Sequence, residues 1–347
     1  MKISILLPFK ENFSPNYPGA VSIFLKGTIN HSKYNKNIIV FGNTNFKKKL
    51  IKNYINLDFK KFFLKSNTKS YLDKFIEEEN RIKSNLIEIH NRPDYINAIY
   101  KENKNLVLYL HNNPQDMRGS YTVNNKLNLL KKTKKIIFNS KWTKNQFIYG
   151  LKKKDYLNKL KVIYQSTDKK KVSLKNKKKL IIFVGRLNKS KGYDIFGNAV
   201  IKILDKYKDW KSIVIGDEPR EKIVFKHKNL HIFGFQKHKK VLNWFLKSQI
   251  AVVCSRWNEP FGRTALEASS RGCAVIISKR GGLTEAAPYS IKIINLTVNS
   301  VKLAIEKLIK NDRLRIKLQK QSYKNFYLTN GYISKKIDNY RDKIIKF

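Results

Sequence analysis

The stretch SRWNEPFGRTALEASSRGCAVIIS, residues 255–278, leads from a strand end through a tight loop and a helix into another strand. Pro260 and Gly262 shape the loop, and the helix opens at Arg263 or Thr264. Two acids, Glu259 and Glu267, flank the turn in a chain whose formal net charge is +48. A carboxylate accepts hydrogen bonds from two vicinal hydroxyls at once, so this pair suits a ligand rich in hydroxyl groups. Free backbone N–H groups at the start of the helix suit a phosphate. The competing reading is that Glu267 only complements the helix dipole.

Upstream, FVGRLNKSKGYDIF, residues 183–196, repeats the order strand, loop, helix. Gly185 lets the backbone turn closely after the strand. Arg186 and Lys191 set two cations beside a helix start, where N–H groups already favour anions. The bland alternative is a strand-to-helix turn with surface cations. Strand and helix patterns alternate along the rest of the chain, which predicts an α/β protein with parallel sheets. Strands are expected at 3–7, 37–41, 86–90, 106–111 and 135–139, then at 180–184, 212–215, 230–233, 250–254 and 274–277. The charge run KKKVSLKNKKK, residues 169–179, carries few apolar residues and is the predicted linker. Two Rossmann-like domains, 1–168 and 180–325, follow, with a helical segment 326–347 expected to pack back on the first. Such a pair facing across a cleft makes the cleft the natural site.

Composition narrows the function classes. No apolar run approaches the ~20 residues of a membrane-spanning helix. The opening MKISILLPFK reads as a first strand, not a leader, and a cytoplasmic protein is expected. Cys254 and Cys273 sit in apolar, strand-like runs, as buried reduced thiols do. Six scattered histidines without metal-ligand spacing, and no Asp-x-Asp pair, point away from a metal site. Lysine excess over both halves reads mainly as a solvated surface.

The second half resembles the nucleotide-binding domain of family 4 retaining glycosyltransferases, which have the GT-B fold. Glu259 and Glu267 meet the family's E-x7-E signature. Gly185, Arg186, Lys191 and Gly192 meet G-R-x4-K-G. VIGDEP at 214–219 is similar to its Gly-x-Gly strand end, and KRGGLTEA at 279–286 to its Gly-Gly-x-x-Glu loop. The resemblance implies an acceptor-binding first domain and a nucleotide-sugar-binding second one. It implies that Arg186 and Lys191 bind the donor diphosphate with Gly185, that Glu267 holds the ribose, and that Glu259 with the backbone of Phe261, Gly262 and Arg263 holds the sugar. Gly234, Phe235 and Gln236 would meet the nucleobase. In the first half, Gly19 would border the donor, and His111 would stand near the transferred sugar, with His90 as its rival.

Departures from the family pattern are Pro18-Gly19-Ala20 in place of a Gly-Gly loop, Tyr164–Asp168 in place of Pro-Asn-Gly-Val-Asp, and Arg263 where an aliphatic residue is usual. The implied reaction moves a hexose, with retention and without a metal or other cofactor, from a nucleotide sugar to a glycan or lipid-linked acceptor. Cell-surface polysaccharide or lipopolysaccharide synthesis is the expected setting. A nucleotide-sugar epimerase of the same architecture and a basic nucleic-acid-binding protein are the alternatives; nucleic acid is not the expected partner. The stretch 46–65 alternates lysines with Phe46, Leu50, Ile51, Tyr54, Phe62 and Phe63, so an anionic membrane surface is a further expected partner.

Overall fold

The computed structural model describes residues 1–59, 66–101, 105–156 and 158–345. It divides into two compact units, Met1–Ser166 with Asn330–Phe347, and Thr167–Thr329.

The first unit is built on a parallel sheet of β1 (Ile3–Leu6), β2 (Ile38–Gly42), β3 (Tyr54–Asn56), β4 (Leu86–His90), β5 (Leu106–Leu110), β6 (Lys135–Phe138) and β7 (Leu160–Val162). Their spatial order is β3-β2-β1-β4-β5-β6-β7. The central strands are continuous apolar runs because helices cover both faces of a doubly wound sheet. Leu6, Phe41, Ile87, Leu108 and Phe138 form one side of its core. The order reverses between β1 and β4, so the loops after these strands part there.

The second unit repeats the plan with β8 (Lys178–Val184), β9 (Lys211–Ile215), β10 (Leu230–Ile232), β11 (Ser248–Val253), β12 (Ala274–Ser278) and β13 (Ser290–Ile293). Their order is β10-β9-β8-β11-β12-β13, all parallel, with the reversal between β8 and β11. Ile181, Phe183, Val252 and Ile276 pack against Phe196, Val200 and Ile305.

Residues 169–179 are a correction to the expected linker. They belong to the second unit, where the charge run is pinned. Lys177 is buried, and its ammonium donates to the carbonyls of Phe245 (2.8 Å) and Ser248 (2.8 Å). The Tyr323 hydroxyl donates to Lys170 O (3.1 Å). Strands β3, β7 and β13 were not predicted; the first two are three-residue edge strands with little periodicity to read. β3 also removes part of the expected membrane stretch, because Tyr54 stacks on the buried Phe13 at 5.5 Å. Lys60, Lys61, Phe62 and Phe63 of that stretch lie outside the described residues.

The Asn330–Ile345 helix belongs to the first unit, where Ser334 Oγ donates to Thr28 O (2.8 Å) on the Ala20–Ile29 helix. Its anchor is an ion pair in the core: Arg341 donates Nε and Nη2 to the two oxygens of Glu88 on β4, at 2.8 and 2.7 Å. Tyr340 donates to the same carboxylate (2.5 Å) and bonds Tyr109 on β5. Removing one partner strands a buried charge, which costs roughly 3–5 kcal/mol. Arg341→Met should therefore lower the denaturant midpoint of unfolding by that much stability, while an exposed control, Lys336→Met, should shift it little. Equal, small shifts would show that the pair does not anchor the helix.

Candidate active site

The predicted residues of the second unit gather at the C-terminal ends of its strands. Gly185 and Arg186 follow the end of β8 at Val184. A 3-10 turn, Lys189–Lys191, then leads into the Tyr193–Lys206 helix, with Asn188 Oδ1 accepting from Lys191 N (3.0 Å). This turn is locked to the loop after β11. Ser190 O accepts from the N–H of Arg256 (3.0 Å) and the N–H of Trp257 (3.2 Å). Arg256 also donates to Lys189 O and grips Asp194 with both Nη atoms (2.6 and 2.7 Å). The approach is so close that a Cβ on Gly192, whose φ is +72°, would lie 1.9 Å from Cys254 O. Glycine is the residue this junction admits.

The two loops bring Lys191 and Glu259 together. Lys191 Nζ lies 2.5 Å from Glu259 Oε1, which also accepts from Ser255 Oγ (2.9 Å). Behind Glu259 stands the Gly281-Gly282 loop. Gly282 N donates to Glu259 O (2.7 Å), and a Cβ on Gly281 (φ +56°) would meet that carbonyl at 2.1 Å. Phe261 is buried, so it offers only its backbone to a ligand, and Gly262 caps the Arg263–Ser270 helix.

Glu267 is the fifth residue of that helix and opens its second turn. Its Oε1 is hydrogen-bonded with His238 Nε2 (2.8 Å) and forms an ion pair with Arg263, whose Nε lies 2.8 Å away. Burial works against its ionisation, yet the charges of Arg263 and His238, with Arg271 behind them, hold the carboxyl below the usual carboxylate range. With both contacts on Oε1, Oε2 is left for a ligand. His238, the first residue of the His238–Lys247 helix, was missed by sequence reasoning, as were Ser255 and Arg256. The last two stood in the quoted stretch. For His238 no local signal exists, because its partner lies 29 residues away.

Arg186 is exposed, and its charge joins that of Arg220 at Glu218, held down to about 2 chiefly by the Arg220 hydrogen bonds. Gly234 meets Gly216 through Gly216 N to Gly234 O (2.9 Å), and Gln236 donates Nε2 to Phe233 O (2.9 Å). Phe235 is partly exposed. The predicted nucleobase region thus follows the edge strand, beyond β9 from β8.

In the first unit, Gly19 caps the Ala20–Ile29 helix, but the chain's own Glu11 stands at that helix start. Glu11 Oε1 accepts from Ser22 N (2.9 Å) and Ser22 Oγ (2.7 Å), and burial raises its pKa. His111 follows β5 and bonds the rival candidate directly: His90 Nδ1 and His111 Nε2 are 3.0 Å apart. Both rings are buried, and burial pushes His111 down to about 3 and His90 well below its ordinary value. Among the described residues, no three His, Cys, Asp or Glu side chains converge to hold a metal ion. No described helix is long and apolar enough to cross a membrane.

Residues 165–325 match the family described as glycosyl transferases, group 1. This segment belongs to the group 1 glycosyltransferases. The glycosyltransferase segment is 33% identical over 124 residues to spore coat protein SA of Bacillus subtilis, covering 31% of this chain and 32% of that one. It is 32% identical over 112 residues to a 2-deoxystreptamine N-acetyl-D-glucosaminyltransferase of Niallia circulans, covering 30% and 28%. The matches span about a third of these relatives' lengths. The fold extends further: the Anabaena HepE structure superposes with a TM-score of 0.74 over 99% of both chains at 17% identity. The fold of the whole chain is therefore that of the GT-B glycosyltransferases.

The buried histidines make stability depend on pH. A ring kept neutral by the fold binds fewer protons than in the unfolded chain between pH ~6.5 and about 3, so stability falls as pH drops through that window. The double variant His90→Phe/His111→Phe should lose less stability than the wild-type protein between pH 6.5 and 4, read from urea midpoints. Parallel curves would mean that the rings titrate normally in the fold.

Proposed function

We propose that the protein is a retaining, metal-independent glycosyltransferase that moves a hexose from a nucleoside-diphosphate sugar to a hydroxyl of a glycan or lipid-linked acceptor. The observation that carries this reading is the Lys191–Glu259–Ser255 cluster beside two helix starts. The clamp of His238 and Arg263 on Glu267 supports it. HepE of Anabaena was crystallised with UDP and glucose, which makes UDP-glucose the first donor to test. A protein of the Klebsiella pneumoniae cps region is 34% identical over 148 residues, 37% of this chain and 38% of that one, and supports a polysaccharide acceptor.

The chemistry follows from charge. Breaking the anomeric bond builds negative charge on the leaving phosphate. Arg186, Lys191 and the N–H groups opening the Tyr193–Lys206 and Arg263–Ser270 helices stabilise that charge without reorganising. An ammonium has three donors, so Lys191 can keep Glu259 while it binds phosphate. Glu259 then orients the hexose hydroxyls, and Glu267 Oε2 takes the ribose. The acceptor hydroxyl attacks the anomeric carbon from the face the phosphate leaves, its proton passing to the departing phosphate oxygen as the new C–O bond forms, which retains the anomeric configuration.

Arg186→Ala or Lys191→Ala should each lower turnover by on the order of 10²-fold or more while the protein stays folded. Near-normal rates in both variants, on every nucleotide sugar that the wild-type protein uses, would refute the cradle.

The two glutamates should separate in calorimetry with UDP alone. Glu267→Gln is expected to weaken binding, because its partner is the ribose. Glu259→Gln should not weaken it and should instead lower turnover. Equal losses of UDP affinity would overturn this division of roles.

A further inference from the structure

The second unit carries a cavity of about 390 Å³ along the His238–Lys247 helix, within the roughly 300–1,000 Å³ of small-molecule sites. Its wall is Phe233, Gln236, Lys240, Asn243, Trp244 and Lys247. The last four recur at the spacing i, i+3, i+4, i+7 and so share one face of the helix. Val241 and Phe245 are buried in the core, and His238 at the helix start is already bonded to Glu267. Of the cavity wall, only Gln236 also belongs to the predicted nucleobase region.

The wall is built before any ligand arrives. Phe233 follows the edge strand β10 and stacks on Trp244, with ring centroids 5.3 Å apart. The Lys247 ammonium lies over the Trp244 ring, 5.2 Å from its centroid. Gln236 is oriented by its bond to Phe233 O (2.9 Å).

Charge singles this surface out. Residues 222–258 hold seven lysines and one arginine but neither an aspartate nor a glutamate. On the Asn67–Ile82 helix, by contrast, Glu77 pairs with both Lys74 and Arg81. Among the described residues neither Lys240 nor Lys247 has a carboxylate partner, and both are exposed. Seven residues of helix span roughly 10 Å, so the two lysines offer charge at two points along an extended ligand.

A bare anion would use the lysines alone. The rings add an apolar surface for C–H groups, and the amides of Gln236 and Asn243 add partners for hydroxyls. A sugar ring presents both kinds of group. A nucleobase needs an open ring face on which to stack, whereas Trp244 already meets Phe233 and Lys247.

We propose that this cavity binds a carboxylate-bearing sugar unit of a glycan chain. Trp244 and Phe233 take its apolar face, and Lys240 and Lys247 take its charge. The site grips polymer away from the transferred sugar. The choice of a glycan rests on the glycosyl-transfer reading above; the cavity and its charge do not.

Calorimetry with an oligogalacturonate tests the site, with saturating UDP present to fill the donor site. A maltooligosaccharide of equal length, an oligouridylate and phosphatidylglycerol vesicles are the comparisons. The oligogalacturonate should bind on the order of 10-fold more tightly than the maltooligosaccharide and lose affinity as salt rises. Trp244→Ala and Lys240→Gln/Lys247→Gln should each weaken it on the order of 10-fold and leave UDP affinity unchanged. Should Trp244→Ala fail to fold, the exposed lysines carry the test alone. No binding of the oligogalacturonate, undiminished binding in the lysine variant, or tighter binding of the oligouridylate or the vesicles would overturn the proposal. If the wild-type protein binds no UDP and turns over no nucleotide sugar, the functional reading fails, and the oligogalacturonate titrations still decide the cavity.

Discussion

The carbonyl of Ser190 is the point on which the second unit's site depends. It sits in a loop after β8, and the groups that bond it come from the loop after β11, on the neighbouring strand across the sheet's reversal. These bonds fix the distance between the two loops, and that distance sets Lys191 against Glu259. Side chains as long as lysine lose much rotamer entropy when they are held in one place. Here the backbone beneath Lys191 is held by the bonds to Ser190 O, and Glu259 holds its ammonium, so little further ordering of this cation is needed.

The same economy appears at Glu267. A buried carboxylate is costly unless its charge is met. His238 and Arg263 meet it, both at Oε1. In the first unit, neutral groups play this part. The His90–His111 pair is buried, and burial holds both rings neutral. Glu11 shows the opposite choice at the Ala20–Ile29 helix start, where the chain supplies its own acid in place of the usual Gly-Gly opening.

The large positive charge of the chain has little part in either site. The cations that matter to the fold are placed by backbone bonds or by burial: Lys177 on the carbonyls of Phe245 and Ser248, Arg341 against Glu88, Arg256 across the two loops. A count of lysines could not single these out, and the run at 169–179 looked like a linker for that reason.

Sequence alone determined the α/β class, the parallel sheets, the restart of the pattern near residue 180 and the chemistry of the loops after β8 and β11. These are local properties: periodicity, strand-end glycines, and acids or cations at helix starts are written in consecutive residues. Gly192 and Gly281 were legible for the same reason, since a missing side chain announces a close approach without saying to what. Tertiary structure alone decided the partners. That Lys191 bonds Glu259, that His238 holds Glu267, that His90 bonds His111 and that Arg341 closes on Glu88 are contacts between residues 21 to 253 positions apart. Such pairings depend on strand order and on the faces that the helices cover, and no window of neighbouring residues records either.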